Sequence, residues 1–116
     1  MNNENTIFNV AVDNWLQTCN QKLEAYNKAA FPNTPLLQQD KLVADFGPRY
    51  VKIRVIGPAN NAVWAFIDRT NGDIFKPASF RTPAKGARGN IFDEAKGMSQ
   101  MGPYGPAYIR GPQIGW

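Results

Sequence analysis

Histidine is absent from this 116-residue chain, and cysteine occurs once, at Cys19. A Ser-His-Asp triad, a Cys-His pair, a His-ligated zinc centre and a histidine pH switch each need a residue that is not there. One cysteine can neither close a disulfide within the chain nor supply a cysteine-rich metal cluster. No apolar run approaches the roughly 18 residues needed to span a bilayer. The first residues, Met1-Asn2-Asn3-Glu4-Asn5, lack the basic and apolar segments of a secretory leader, so none is expected. These exclusions leave a small intracellular domain with one core and no membrane association, cofactor or metal. Such a chain is better equipped to bind something than to transform it.

The charge present is unevenly placed. The net is +4, but residues 1–40 carry −2 and residues 41–116 carry +6. An anionic partner handled by the second part accounts for this split, and so does an ordinary solvated surface.

Periodicity orders the chain. Phe8, Val12, Trp15 with Leu16, Cys19, Leu23, Tyr26 and Ala30 recur every three or four residues, which predicts an amphipathic helix over about residues 6–31. Asn and Thr residues can cap its start, and Phe31-Pro32-Asn33-Thr34-Pro35 ends it. The period then drops to two. Leu42–Phe46, Tyr50–Ile56 and Val63–Arg69 read as strands, with Val51, Ile53 and Val55 on one face of the second and Tyr50, Lys52 and Arg54 on the other. Asn71-Gly72 predicts a two-residue type I′ turn that sets Asp68 opposite Phe75 and Phe66 opposite Pro77. Trp64, Phe66 and Phe75 then share one face, with Val63, Ala65, Ile67 and Ile74 on the other. The expectation is an α+β fold in one domain: the N-terminal helix packed on an antiparallel meander over residues 42–77.

Residues 77–116 hold five of the nine prolines and seven of the ten glycines, yet are rich in large apolar side chains. Disordered tails are poor in aromatics, so residues 78–116 read as ordered irregular loops with a short strand at Ala107–Arg110. Within them, Phe80-Arg81-Thr82-Pro83-Ala84-Lys85-Gly86-Ala87-Arg88-Gly89-Asn90 has the groups that hold a phosphorylated nucleotide. Arg81, Lys85 and Arg88 suit phosphate oxygens, and Gly86 and Gly89 let backbone N–H groups approach an anion. Phe80 offers a stacking face and Asn90 can bond a hydroxyl or base edge. The string is neither a Walker loop nor a GxGxxG fingerprint, and a solvated basic loop has the same composition. Asp93-Glu94 is the adjacent carboxylate pair, but neighbours in sequence usually point apart, so cap or turn roles suit them better than acid–base work.

Four ordered strings carry a family resemblance. Val63–Asp68 is followed by Thr70-Asn71-Gly72-Asp73-Ile74-Phe75-Lys76-Pro77-Ala78-Ser79-Phe80, then by Pro83-Ala84-Lys85-Gly86-Ala87-Arg88-Gly89-Asn90-Ile91-Phe92-Asp93, and near the end by Gly102-Pro103-Tyr104-Gly105-Pro106-Ala107-Tyr108-Ile109-Arg110. Over residues 42–111 this resembles the first-described Thoeris anti-defence family, the phage "sponge" proteins. The resemblance implies a protein that is not an enzyme. It would sequester a cyclic ADP-ribose isomer made by a bacterial TIR-domain enzyme, in the cytoplasm of the infected host, and release it intact. It also implies assembly from dimers, some into hexamers, and separate sites for cyclic di- or trinucleotides. Carried over by position, the base-stacking aromatic matches Phe80 and the polar amide matches Asn90. The basic contacts fall on Arg54, Arg88 and Arg110, and Arg81 and Tyr108 complete the ligand-binding set. Before residue 42 only the helical pattern matches, so contacts from the helix, such as Lys22, are not carried over.

The physical requirements agree. A diphosphate-bridged nucleotide needs cations, an aromatic face and amides within a concave site, and a chain this short gains such a site between two subunits. Two other classes of function fit the same residues. Tyr50, Lys52 and Arg54 interleave an aromatic with cations, as in a single-stranded nucleic-acid platform. The Gly/Pro-rich end could instead present a surface to another protein, as in a decoy or virion accessory protein.

Overall fold

Thr6–Ala30 form an α-helix, α1, in a computed structural model that describes residues 6–33, 39–58, 60–98, 101–102 and 105–106. At 1.5 Å per residue α1 is about 37 Å long. Its stripe of Phe8, Val12, Trp15, Cys19 and Leu23 is buried, as the spacing predicts, and Lys28 sits in the last turn, where a cation suits the helix dipole. Phe31 N–H still donates to Asn27 O at 2.7 Å, and Pro32, with no N–H to give, follows it.

The sheet that receives this stripe runs β1 (Lys41–Phe46), β2 (Tyr50–Gly57), β3 (Asn60–Asp68), β4 (Asp73–Phe75) and β5 (Gly89–Asn90), in sequence order and antiparallel throughout. A separate two-stranded ladder joins β6 (Met101–Gly102) to β7 (Gly105–Pro106). The fold is α+β, an N-terminal helix on an antiparallel sheet. Its core comprises the helix stripe with Leu42, Val51, Ile53, Trp64, Ala65, Ile67, Ile74, Ile91 and Met101. The predicted strand at Ala107–Arg110 lies outside the described residues.

Asn20 ties the two layers together from the middle of α1. Its Nδ2 donates to Leu42 O at 2.9 Å and its Oδ1 accepts from Leu42 N at 2.8 Å. One helix side chain thus satisfies both backbone groups of a residue on the outermost strand, an edge that otherwise invites pairing.

Two details of the meander differ from the sequence pattern. Ile53 pairs with Ala65, but Arg54 pairs with Val63, so Trp64 is an extra residue in a β-bulge. The bulge interrupts the alternation and turns Trp64 into the core, where it meets Trp15 edge-on at 5.9 Å and 61°. Trp64 therefore leaves the face on which Phe66 and Phe75 remain. The second correction concerns the β3–β4 connection. Phe66 pairs with Phe75 and Ile67 with Ile74, so residues 69–72 form a four-residue loop rather than a two-residue turn. The Asp68 carboxylate decides this by accepting from Thr70 N at 2.8 Å and Thr70 Oγ1 at 2.6 Å, while Gly72 N donates to Asp68 O at 2.8 Å. Gly72 takes a φ of 84° and Asn71 does not take a positive φ, whereas a type I′ turn needs both. The register moves by two residues, an even number, so the inward and outward sets of β4 survive.

Cys19 is wholly buried, and desolvation pushes its thiol well above the usual cysteine range against the weaker opposing pull of Lys22. The native protein is therefore expected to react with a disulfide reagent at least about a hundredfold more slowly than the guanidinium-unfolded chain. Equal rates in a stopped-flow thiol assay would contradict this packing. Among the described residues no helix is long and apolar enough to cross a membrane.

Candidate functional site

The face of the sheet away from α1 carries a second cluster of large side chains. Across it runs a register row of Asp45, Lys52, Phe66 and Phe75, one residue from each of β1 to β4. Tyr50 meets Phe66 at 6.0 Å and Phe75 at 6.4 Å, both edge-to-face. Phe66 is fully buried in this cluster although it faces away from the helix. The three rings give the outer face a rigid apolar base, on which cations are arranged.

The loop after β4 adds the rest. Pro77 and Pro83 bridge, Ala78 N donates to Thr82 O at 2.9 Å, and Ser79 Oγ accepts from Arg81 N and Thr82 N at 3.2 and 3.1 Å. Ser79 thereby closes a tight turn that displays Phe80 and Arg81. The Lys52 ammonium stands 4.1 Å from the centre of the Phe80 ring, and that ring stays 51% exposed. Lys52 and Arg81, with Arg49, Phe46, Tyr50 and Phe66, line an open cleft of about 330 Å³.

The cations of this cleft are not equally committed. Arg49 lies over Tyr50 at 5.3 Å and reaches the buried Asp68 carboxylate only at 4.0 Å. Asp45 also lines the cleft, but it is paired with Arg54 at 2.5 Å. Arg54 gives a further hydrogen bond to Asn61 Oδ1 at 2.9 Å, so its guanidinium is held between β1 and β3. Among the described residues no carboxylate lies within ion-pair distance of Lys52 or Arg81.

A second basic pair lies where β4 ends. Ala84 N and Arg88 N donate to the carbonyls of Lys76 and Ile74, both at 2.7 Å, which lays residues 84–88 along β4. Lys76 Nζ donates to Pro106 O at 2.6 Å; burial first and the Arg88 charge second hold its pKa below the ordinary lysine value. Among the described residues, no hydrogen-bond partner reaches the buried Nε and Nη1 of Arg88. Buried donors left unpaired cost about 1–3 kcal/mol each, more when charged, so an anion placed there would be strongly favoured.

Asn90 has a different commitment. Its Nδ2 donates to Asn71 O at 2.8 Å and Asp73 Oδ1 at 2.9 Å, and its Oδ1 accepts from Phe92 N at 2.7 Å. The amide braces β5 against the β3–β4 loop. Asn90→Ala is therefore expected to lower the unfolding free energy by about 1–3 kcal/mol, read from urea denaturation. An unchanged midpoint would mean the amide is available to a ligand.

Of the residues singled out in the sequence, Arg81 lines the cleft and Phe80 reaches it through its contact with Lys52. Arg54 is tied to Asp45 at its margin, Arg88 stands with Lys76, and Asn90 is at the β3–β4 loop. Tyr108 and Arg110 lie outside the described residues. Sequence reasoning assigns no role to Arg49 or Lys76 and misses the contact of Lys52 with Phe80. Among the described residues no three His, Cys, Asp or Glu side chains are grouped to hold a metal ion.

Fold and site together define a helix-on-sheet α+β protein with a basic, aromatic cleft on the uncovered sheet face. The chain belongs to a family of unknown function, DUF7717, whose family model matches residues 2–104. No curated protein and no solved structure matches it.

Proposed function

We propose that this protein captures a compact nucleotide and releases it chemically unchanged. The observation that carries the reading is that Lys52, which stands over the exposed Phe80 ring, and Arg81 line one cleft with Tyr50, neither cation having a carboxylate partner among the described residues. Cations of this kind suit phosphate oxygens, and an exposed phenyl ring suits a purine face. The ligand class is a cyclic ADP-ribose isomer, with cyclic di- or trinucleotides as further candidates, and the setting is phage anti-defence in the cytoplasm of an infected bacterium; both come from the resemblance to the Thoeris sponge family. A cleft of about 330 Å³ is at the small end for ligand pockets, so a second copy of the chain would complete the enclosure. Capture without turnover asks for no general base.

Incubation of the protein with a cyclic ADP-ribose isomer, followed by ultrafiltration, should deplete the free ligand. Heating the retained protein should return it with its mass unchanged. No depletion, or recovery of a hydrolysed product alone, would overturn the reading. A panel of cyclic dinucleotides and trinucleotides in the same assay sets the ligand class.

The open sheet face with Tyr50, Lys52 and the half-exposed Phe80 also supports a second reading, single-stranded nucleic-acid binding. That activity would weaken steeply with salt, by about 0.7 log unit per log unit of salt for each phosphate contact. Absence of oligonucleotide binding at low salt dismisses it.

A further inference from the structure

The cations at the end of β4 stand apart from the outer-face cleft, which neither of them lines. Lys76 follows Phe75, whose ring belongs to the outer cluster, so strand alternation turns Lys76 to the opposite face. There its Nζ donates to Pro106 O of β7 at 2.6 Å. The β7 strand in turn packs on β3, so closely that a methyl group on Gly105 would stand 2.7 Å from Trp64 O. Arg88 comes to the same place from the following loop. After a turn in which Gly86 takes a φ of 89°, its backbone N–H donates to Ile74 O at 2.7 Å. The Arg88 charge adds to burial in depressing the Lys76 pKa, so the two cations feel one another. Three segments, β4, residues 84–88 and β7, thus meet around one pair of positive charges.

We infer that Arg88 and Lys76 hold a single inorganic oxyanion of the phosphate or sulfate type as a structural ion, which ties residues 84–88 and the β6–β7 ladder to the end of β4. A guanidinium cannot be deprotonated in a protein, so Arg88 has no way to shed its charge on burial. Among the described residues no carboxylate lies within ion-pair distance of it, and no acceptor reaches its buried Nε and Nη1. Water would satisfy those donors but leave two neighbouring charges uncompensated, whereas an anion does both. A tetrahedral oxyanion is the best match, because it offers separate oxygens to a guanidinium and an ammonium that arrive from different segments. A base has nothing to stack on beside Arg88: among the described residues no aromatic ring lies within cation–π distance of it. These groups recognise a charge alone, while the outer cleft offers a ring as well. Arg88 is only half-buried, and Lys85, Gly86 and Ala87 before it are exposed, so a small ion has a short way in. The inference goes beyond the nucleotide reading and stands without it.

Protein dialysed free of phosphate and sulfate, then titrated with sodium phosphate in a calorimeter, should take up one ion per chain. At a hundredfold excess over the dissociation constant, phosphate should raise the thermal midpoint by about 10 °C, and sodium chloride of equal ionic strength far less. Arg88→Met should abolish this response. In phosphate-free buffer its midpoint should equal or exceed that of the wild type, because it removes unpaired buried donors and keeps an apolar stem in their place. Lys76→Met, with a weakened response, serves where the Arg88 variant fails to fold. The double variant Lys52→Gln, Arg81→Gln, altered only at the outer cleft, should respond as the wild type does. No phosphate uptake, or a midpoint that follows ionic strength alone, overturns the inference. So does a response kept by folded Arg88→Met or lost in the double variant. Phosphate-saturated protein should still capture a cyclic ADP-ribose isomer undiminished; displacement of phosphate by the nucleotide would put Arg88 in the nucleotide site and overturn the separate ion. Phosphate uptake without nucleotide capture removes the nucleotide reading alone.

Discussion

Replacing Lys52 and Arg81 together with glutamine is expected to weaken nucleotide capture by at least about a hundredfold, because a hydrogen bond to a charged group contributes about 1.5–3 kcal/mol and 1.4 kcal/mol is tenfold in affinity. Removing two such hydrogen bonds costs about 3 kcal/mol at the low end of that range, the appropriate end for groups in an open, solvated cleft. The fold should be little affected. Neither cation has a carboxylate partner among the described residues, so their removal strands no buried acid. Glutamine is the better replacement, since a glutamate at position 52 would face Asp45 directly across the β1–β2 ladder and repel it. Arg54→Gln is the contrasting variant. Its guanidinium is already bonded to Asp45 and Asn61, so it should affect capture far less than the pair does. Isothermal titration of the three proteins decides the matter. Equal affinity for wild type and the double variant would remove the outer-face cleft as the site and turn attention to Lys76 and Arg88.

The cleft is only half legible in the sequence, and the reasons are physical. A long stripe with a 3.6-residue period has one good way to be buried, so α1 and its five core residues follow from spacing alone. The alternation of β2 is equally direct, since Val51 and Ile53 are buried while Tyr50 and Lys52 line the outer cleft. Trp64 cannot be placed in the same way. A bulge arises from the pairing of two strands and has no signature in either, yet it transfers one of the largest side chains from one face to the other. The Asn71-Gly72 signal is overridden by Asp68, three residues upstream of Asn71, whose carboxylate organises a longer loop. Phe80 and Arg81 are recognisable as binding types by their chemistry. What they meet is not readable, because Lys52 lies 28 positions before Phe80 and only the Ser79–Thr82 turn brings them together. Asn90 shows the converse. Its chemistry suits a ligand, but the backbone and carboxylate groups around it already occupy the amide.

Gly97→Ala should be among the most damaging single changes in the chain, costing about 2–5 kcal/mol of unfolding free energy from left-handed backbone strain and overpacking combined. Gly97 has a φ of +80°, where a side chain is disfavoured even in open space. The space is not open. A methyl group there would lie 2.8 Å from Trp15 Cδ1 and 2.9 Å from Ile74 Cδ1, closer than carbon atoms tolerate. Neither neighbour can retreat: Trp15 is buried against Trp64, and Ile74 is wholly buried in the sheet. The backbone must move instead, and it is anchored through Gly97 N to Asp93 Oδ1 and through Met98 N to Ala95 O at 3.1 Å. Displacing this turn would also shift Phe92 and Met98 in the groove beside α1. Lys96→Gly is the informative comparison, since Lys96 also has a positive φ, 53°, but its side chain is exposed. Its removal relieves strain without opening a cavity, so that variant should be as stable as the wild type or slightly more so. Urea denaturation of both variants gives the answer. A Gly97→Ala midpoint equal to that of the wild type would mean the turn does not pack on Trp15 and Ile74 as described.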